Sequence, residues 1–380
     1  MQDDLFGGPP DVPPPPPAAA KDAAATKTRA AASAAHNSDA ADAKPPRRTG
    51  VHPAPGLDDL KPLAAALPPQ LRLGTSSWSY PGWQELVWEG AHSESMLARQ
   101  GLAVYAQHPL LRTVSIDRGF YRPLTVSEYE RYASQVPEDF RFVVKAPSLV
   151  TDALVRSEDG RGRQSNPAFL NPDLARSEFV EPALQGLGRK LGALVFQISP
   201  LPLAQLDRMH ELLVRLRAML AAQPALAPHA PDGVLAVEVR DPEWLTPEFA
   251  TVLRDVGATY CLGLHPKMPA LQDQLPMLRS LWPGPLVCRW NLNPVFGPYG
   301  YEEAERLYSP YDRLHHPDLE TRAELAKAIA GITSRGQNAF VTISNHAEGC
   351  APHTVHALAQ AVALASGAPS GAPTRAAAGQ

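Results

Sequence analysis

Between Gly233 and Trp244 the apolar residues alternate instead of recurring every three or four positions, so the stretch is patterned as a strand and not as a helix. Leu235, Val237 and Val239 share one face, Ala236, Glu238 and Arg240 share the other, and Asp241-Pro242 ends the run. The apolar face suits packing against helices. The other face starts small and finishes on an acid and a base, which are costly to bury unless paired or used. A Glu238–Arg240 pair that merely neutralises itself accounts for one such strand. It does not account for a chain in which strand after strand ends on polar residues.

Strand-like runs occupy Leu71 to Thr75, Leu111 to Asp117, Phe140 to Lys145, Gly192 to Ser199, Ala258 to His265, Leu286 to Leu292 and Ala339 to Asn345, besides the stretch already described. Helical patterns fill the intervals: Glu94 to Gln107, a helix capped by Thr125, Leu203 to Ala222, a helix opened by Thr246 and Pro247, Leu319 to Ser334 and Pro352 to Leu364. Eight strands alternating with helices over about 300 residues predict an α/β fold, a single (β/α)8 TIM-type barrel. An open doubly wound sheet is the runner-up, lowered because no glycine-rich phosphate fingerprint follows the first strand.

With 380 residues and a net charge of −4, the chain has no global basic field to draw nucleic acid or acidic membrane, so any anion site must be local. Cys261, Cys288 and Cys350 are scattered without metal-ligand spacing, no apolar run spans a bilayer, and the acidic start lacks a signal-peptide core. A reduced, cytoplasmic protein with no membrane partner is the expectation. Residues 1–67, with prolines from Pro13 to Pro17, and residues 367–380 are read as disordered tails around a domain at 68–366. The polar segment Ser157 to Pro172 is long enough to be an insertion or lid. Gln2, Leu5 and Phe6 resemble the short peptide with which many bacterial proteins dock on the DNA sliding clamp. That resemblance makes the clamp, or DNA beside it, a rival partner. An acidic start with incidental apolar residues is the simpler account.

In a barrel, the strand ends converge on one face. Lys145, Arg240 and Arg289 would form a cationic set there, suited to a small anionic ligand bearing a carboxylate or phosphate. Trp78, Tyr80 and Tyr121 would supply flat walls, and Asp117, Gln197, Asn345 and His346 complete the expected ligand-binding ring. Glu238 is the candidate general acid/base of a hydrolase or lyase, and Lys145 a second catalytic candidate through a Schiff base if desolvated. A ligand sensor without turnover would use the same ring. No cofactor is required and no metal site is assigned; Asp117, Glu238, His265 and His346 could hold a divalent ion but lack diagnostic spacing.

Gly74 to Trp83, Phe120 to Arg122, Phe140 to Pro147, Leu194 to Gln197, Ala236 to Arg240 and Asn345 to Gly349 together resemble the YecE-like family, domain of unknown function 72. The resemblance runs from about residue 71 to 365 and implies a TIM barrel, with no established activity. Four departures stand out, one of them Arg118 and Gly119 in place of a small polar pair. Asp117 replaces a usual Asn, Ser115 replaces a frequent Glu, and Asn291 to Pro298 replaces a usual His-Gly pair. The second strand's share of the site is the part these departures put in question.

Overall fold

A computed structural model describes residues 50–155 and 164–367. Its centre is a closed barrel of parallel strands in which every strand pairs with its sequence neighbours and the last returns to the first. The strands are β1 (Leu71–Thr75), β2 (Thr113–Ile116), β3 (Arg141–Lys145), β4 (Leu191–Gln197), β5 (Val234–Glu238), β6 (Thr259–Leu264), β7 (Leu286–Trp290) and β8 (Ala339–Ile343). The predicted barrel is therefore observed, with strand ends shifted by one or two residues.

The alternation in β5 sorts as its pattern requires. Leu235, Val237 and Val239 join the large core between strands and helices, whereas Val234 and Ala236 face a separate interior cluster. That cluster adds Val143, Ala193, Val195, Cys261, Val287 and Phe340, so the barrel is filled and is not a pore. Gly192 makes room for the Phe340 ring: a Cβ there would lie 2.8 Å from it. Below this plug, Arg141 pairs with Asp232 at 2.7 Å and Asn338 donates to the same carboxylate, closing the N-terminal end of the barrel.

The helix starts follow their capping residues. Thr125 and Glu128 form a full capping box on Val126–Ala133, and Thr246 accepts from the Phe249 N–H at the start of Pro247–Asp255. The helix expected over 203–222 is broken into Leu203–Leu206 and Met209–Ala221, because Arg208 leaves the helical region at φ −112° and ψ 40°. Helix Tyr301–Tyr308 was not foreseen; the Pro- and Gly-rich residues before it obscure its start.

The described structure begins ahead of the expected domain boundary at 68. Residues 57–60 and 61–65 are short helices, Val51 and Ala54 are buried, and Leu60, Leu63 and Leu67 pack on the core. The backbone holds this segment too: Ala54 N–H donates to Val87 at 3.1 Å, and Glu89 N–H donates to His52 at 2.9 Å. Composition concealed this, since a few small apolar residues suffice when tryptophans wait to be covered. Residues 1–49 and 368–380, including Gln2, Leu5 and Phe6, lie outside the described residues, as does 156–163 within the expected lid. Leu154–Val155 and Gln164–Ser165, which flank that gap, pair as a two-stranded antiparallel ribbon. Among the described residues no helix is long and apolar enough to cross a membrane.

A chain starting at residue 68 is expected to melt several degrees below one starting at residue 50, at roughly 2–4 °C per kcal/mol for a domain this large. Coincident melting curves would show that the segment contributes nothing to the fold.

Candidate functional site

The interior residues at the tops of β4, β5 and β7 are Gln197, Glu238 and Arg289, and register places Gln197 directly beside Glu238. Arg240 follows β5 on the same face. Glu238 is fully buried and lies 2.5 Å from Arg240 Nη1 and 2.8 Å from Arg289 Nη1. Asn291 Nδ2 donates to the same carboxylate at 3.1 Å. Both guanidiniums also donate to Gln197 Oε1, at 3.0 Å from Arg289 and 3.2 Å from Arg240. Arg289 Nη2 reaches across to Asp117 at 2.5 Å, and Ser115 Oγ donates to the other oxygen of Asp117. Gly263 on β6 gives this lattice its space, because a Cβ would lie 3.1 Å from Arg240 Nη1 and 3.2 Å from Glu238 Oε1.

Burial alone would raise the Glu238 carboxyl, but Arg240 and Arg289 outweigh it and hold it down at about 2. It is thus a fixed negative charge at any working pH. Held so low, it serves the two arginines as their shared counter-charge. Lys145 behaves in the opposite way: burial lowers it, Asp117 pulls it partly back, and it settles at about 7. Its ammonium stands 3.7 Å from the centre of the Phe120 ring. Arg289 is opposed by burial yet raised by Asp117 and Glu238, and stays charged.

The structure brings Lys145, Asp117, Gln197, Glu238, Arg240 and Arg289 together and sends several other expected residues elsewhere. Trp78 is buried against Tyr132, edge to face at 5.5 Å, within the outer core and not on the mouth. Asn345 Oδ1 accepts from Trp83 Nε1 at 3.1 Å and from the Ala351 N–H at 2.8 Å, tying the loop after β1 to the last helix, Ala351–Ala365. His346 spends both ring nitrogens, on Ser344 Oγ and Tyr311 Oη, each at 3.1 Å. Tyr80 is half-buried against Trp83 and Tyr311, while Tyr121 is 66 % exposed and leans on Phe120. Glu348 is buried, paired with Arg322 at 2.8 Å, and accepts from the Asp318 N–H.

Ser115 and Tyr301 also border this lattice and were not expected there. Asn291 repeats the inward spacing of Arg289, which is a usable signal. Tyr301 sits on the unforeseen helix, tilted against His265 at 5.7 Å, and nothing in the sequence marks it. Among the described residues no three His, Cys, Asp or Glu side chains gather as a metal site, and His346 and Glu238 are already committed. A surface concavity of about 410 Å³, lined by residues such as Glu130, Glu138, Arg189 and Lys190, opens beside the starts of β3 and β4. That is the opposite face from the charged lattice.

Glu238→Gln leaves two buried guanidiniums short of a counter-charge, a loss of about 3–5 kcal/mol for a broken buried pair. Denaturant unfolding at pH 7 is expected to show it. A variant as stable as the parent would mean that Asp117 and Gln197 suffice to hold both arginines.

The profile of the family described as "Protein of unknown function DUF72" matches residues 72–378. No curated protein matches the chain. Among solved structures, a DUF72 family protein from Enterococcus faecalis aligns at 19 % identity over 77 % of this chain and 95 % of that one, with a TM-score of 0.50. A second DUF72 family protein, from Thermotoga maritima, aligns at 20 % identity over 75 % and 96 %, with a TM-score of 0.49. The first supports the barrel fold and nothing finer. Matched over most of its length, this chain belongs to the DUF72 family.

Proposed function

We propose that the protein is an enzyme that binds a small anionic ligand at the C-terminal mouth of the barrel, with Lys145 as its proton-transfer group. One observation carries this reading: two buried donors at the mouth lack acceptors among the described residues. Among the described residues Arg240 and Arg289 share Glu238, and Arg289 also meets Asp117. Among the described residues, Arg240 Nε and Gln197 Nε2 are buried with no acceptor. Buried donors without acceptors are costly, and an anion with several oxygens is the ligand that would repay that cost.

In this reading Glu238 is a positioning residue. It holds Arg240 and Arg289 with their remaining N–H groups turned to a ligand, as preorganised electrostatic sites require. Lys145, near neutrality, would give or take a proton, or attack a carbonyl as the free amine. The rival reading, a protein tethered to the sliding clamp, rests on Gln2, Leu5 and Phe6 alone, and nothing in the barrel favours it.

Sulfate, whose charge is constant across neutral pH, is the direct probe. Its affinity by titration calorimetry is expected to fall as pH rises through about 7, where the Lys145 ammonium is lost. Lys145→Met is expected to abolish that dependence. Sulfate binding that is absent at pH 6, or flat from pH 6 to 8.5, removes the proposal.

The lowered value also has a consequence for folding. The unfolded chain keeps the Lys145 proton up to its ordinary value of 10.5, while the folded chain releases it near 7. The stability cost is therefore complete below about 7 and fades as pH climbs toward the unfolded value. Lys145→Met is expected to raise the melting temperature most at pH 6, with the advantage shrinking by pH 9. No gain at pH 6 would show that the lysine is fully compensated by its neighbours.

A further inference from the structure

Two buried histidines stand near the mouth, and their hydrogen bonds separate them. His346 uses both ring nitrogens on neighbouring hydroxyls, so it is a structural link between Ser344 and Tyr311. His265 follows β6 and faces inward by alternation from Cys261 and Gly263. Its Nδ1 accepts the Lys267 N–H at 3.0 Å. That bond fixes the tautomer: the hydrogen must sit on Nε2, on the far side of the ring. Among the described residues Nε2 meets no acceptor, and it is not among the sealed, partnerless atoms of the interior. The His265 side chain is only 8 % exposed, packed against Tyr301 on one side and close to Arg240.

Burial first and Arg240 second hold the imidazole down at about 3, so it stays neutral under any ordinary condition. With the ring neutral and Nδ1 occupied as an acceptor, Nε2–H is the group left to donate. The ring offers one N–H to an uncharged oxygen without the desolvation demand of a cation. Polarising a carbonyl is the established use of such a group. The charged groups of the mouth come from other strands: Asp117 follows β2, Lys145 ends β3, and Arg289 lies on β7. Lys145 and His265 are three strands apart in a ring of eight, so they look at a ligand from different sides.

We infer that His265 is a specificity-determining residue, which selects an anion that also carries a carbonyl oxygen, with the anionic group toward Lys145 and the carbonyl toward His265 Nε2. This rests on the anion reading above and names its substrate class. A carboxylate or phosphate alone would satisfy the cationic side and leave the His265 N–H unmatched. A ligand bearing both groups satisfies both walls.

The test compares dihydroxyacetone phosphate with propyl phosphate, two phosphate monoesters of equal chain length of which only the first has a carbonyl. Affinities are measured by calorimetry on the full chain at pH 6.5, with sulfate as a third ligand. The intact protein is expected to prefer dihydroxyacetone phosphate by about tenfold, roughly the worth of one well-placed hydrogen bond. His265→Leu is expected to erase the preference while leaving propyl phosphate and sulfate affinity unchanged, and His265→Gln, which keeps an N–H, to restore part of it. No preference in the intact protein, with sulfate still bound, overturns this inference and spares the anion reading. Equal weakening of all three ligands in His265→Leu overturns it as well, because a merely structural histidine would act that way. Failure of the intact protein to bind any of the three overturns both readings together.

Discussion

A carboxylate with no exposure, held between two guanidiniums, is the constraint on which the upper half of this barrel depends. Taking Glu238, Arg240 and Arg289 out of water costs several kcal/mol per ion, and their mutual attraction recovers this only with close geometry and filled hydrogen-bonding positions. The barrel supplies both. Arg289 arrives from β7, Glu238 from β5 and Gln197 from β4, so three rigid strands meet at one point. Gly263 on the strand between β5 and β7 leaves the volume that the lattice fills. A side chain at that position would press on the ion pair. The apolar plug underneath, with Phe340 seated against Gly192, keeps water from reaching the lattice from below.

The same geometry explains why Lys145 differs from the arginines. A guanidinium spreads its charge over several donors and can serve two carboxylates, as Arg289 does with Asp117 and Glu238. An ammonium is compact and strongly hydrated, so burial against the Phe120 face costs it more. Two nearby arginines add repulsion, and Asp117, which already binds Arg289, offsets only part of the total. The outcome is a lysine brought down to about 7 beside Glu238, which is held low, and Arg289, which is held high. Sites that exchange protons tend to contain one such poised group among fixed ones.

Much of this was legible in the chain. Alternation in β5 separated the faces correctly because each of its residues meets either helices or the barrel interior, with no third environment to blur the pattern. Position along a strand likewise marked Lys145, Gln197, Glu238, Arg240 and Arg289. Residues beyond the strands were another matter. Trp78 and Asn345 follow strand ends just as the lattice residues do, yet they turn outward or into neighbouring loops. Once the backbone leaves the strand, the period of two no longer says where a side chain points. The electrostatic setting of Glu238 was not legible for a different reason. Sequence shows that an acid has basic neighbours but not that both lie within 3 Å of it, and that distance decides between a titrating group and a permanent charge.

The departure at Asp117 gains meaning from the lattice. Where the family resemblance led to the expectation of an Asn, this chain carries a carboxylate that Ser115 orients and that Arg289 meets at 2.5 Å. An Asn there would be neutral, leaving Arg289 and Arg240 with Glu238 as their near carboxylate and Lys145 with less to hold its proton. The charge at this one position therefore feeds into both the arginine pair and the lysine. Asp117 is also the most open member of the lattice, with its side chain 37 % exposed. An incoming anion would meet that carboxylate as a repulsive neighbour unless Arg289 keeps it engaged. Arg289 therefore has two tasks that compete for the same donors, and how it divides them governs how much positive charge the mouth presents.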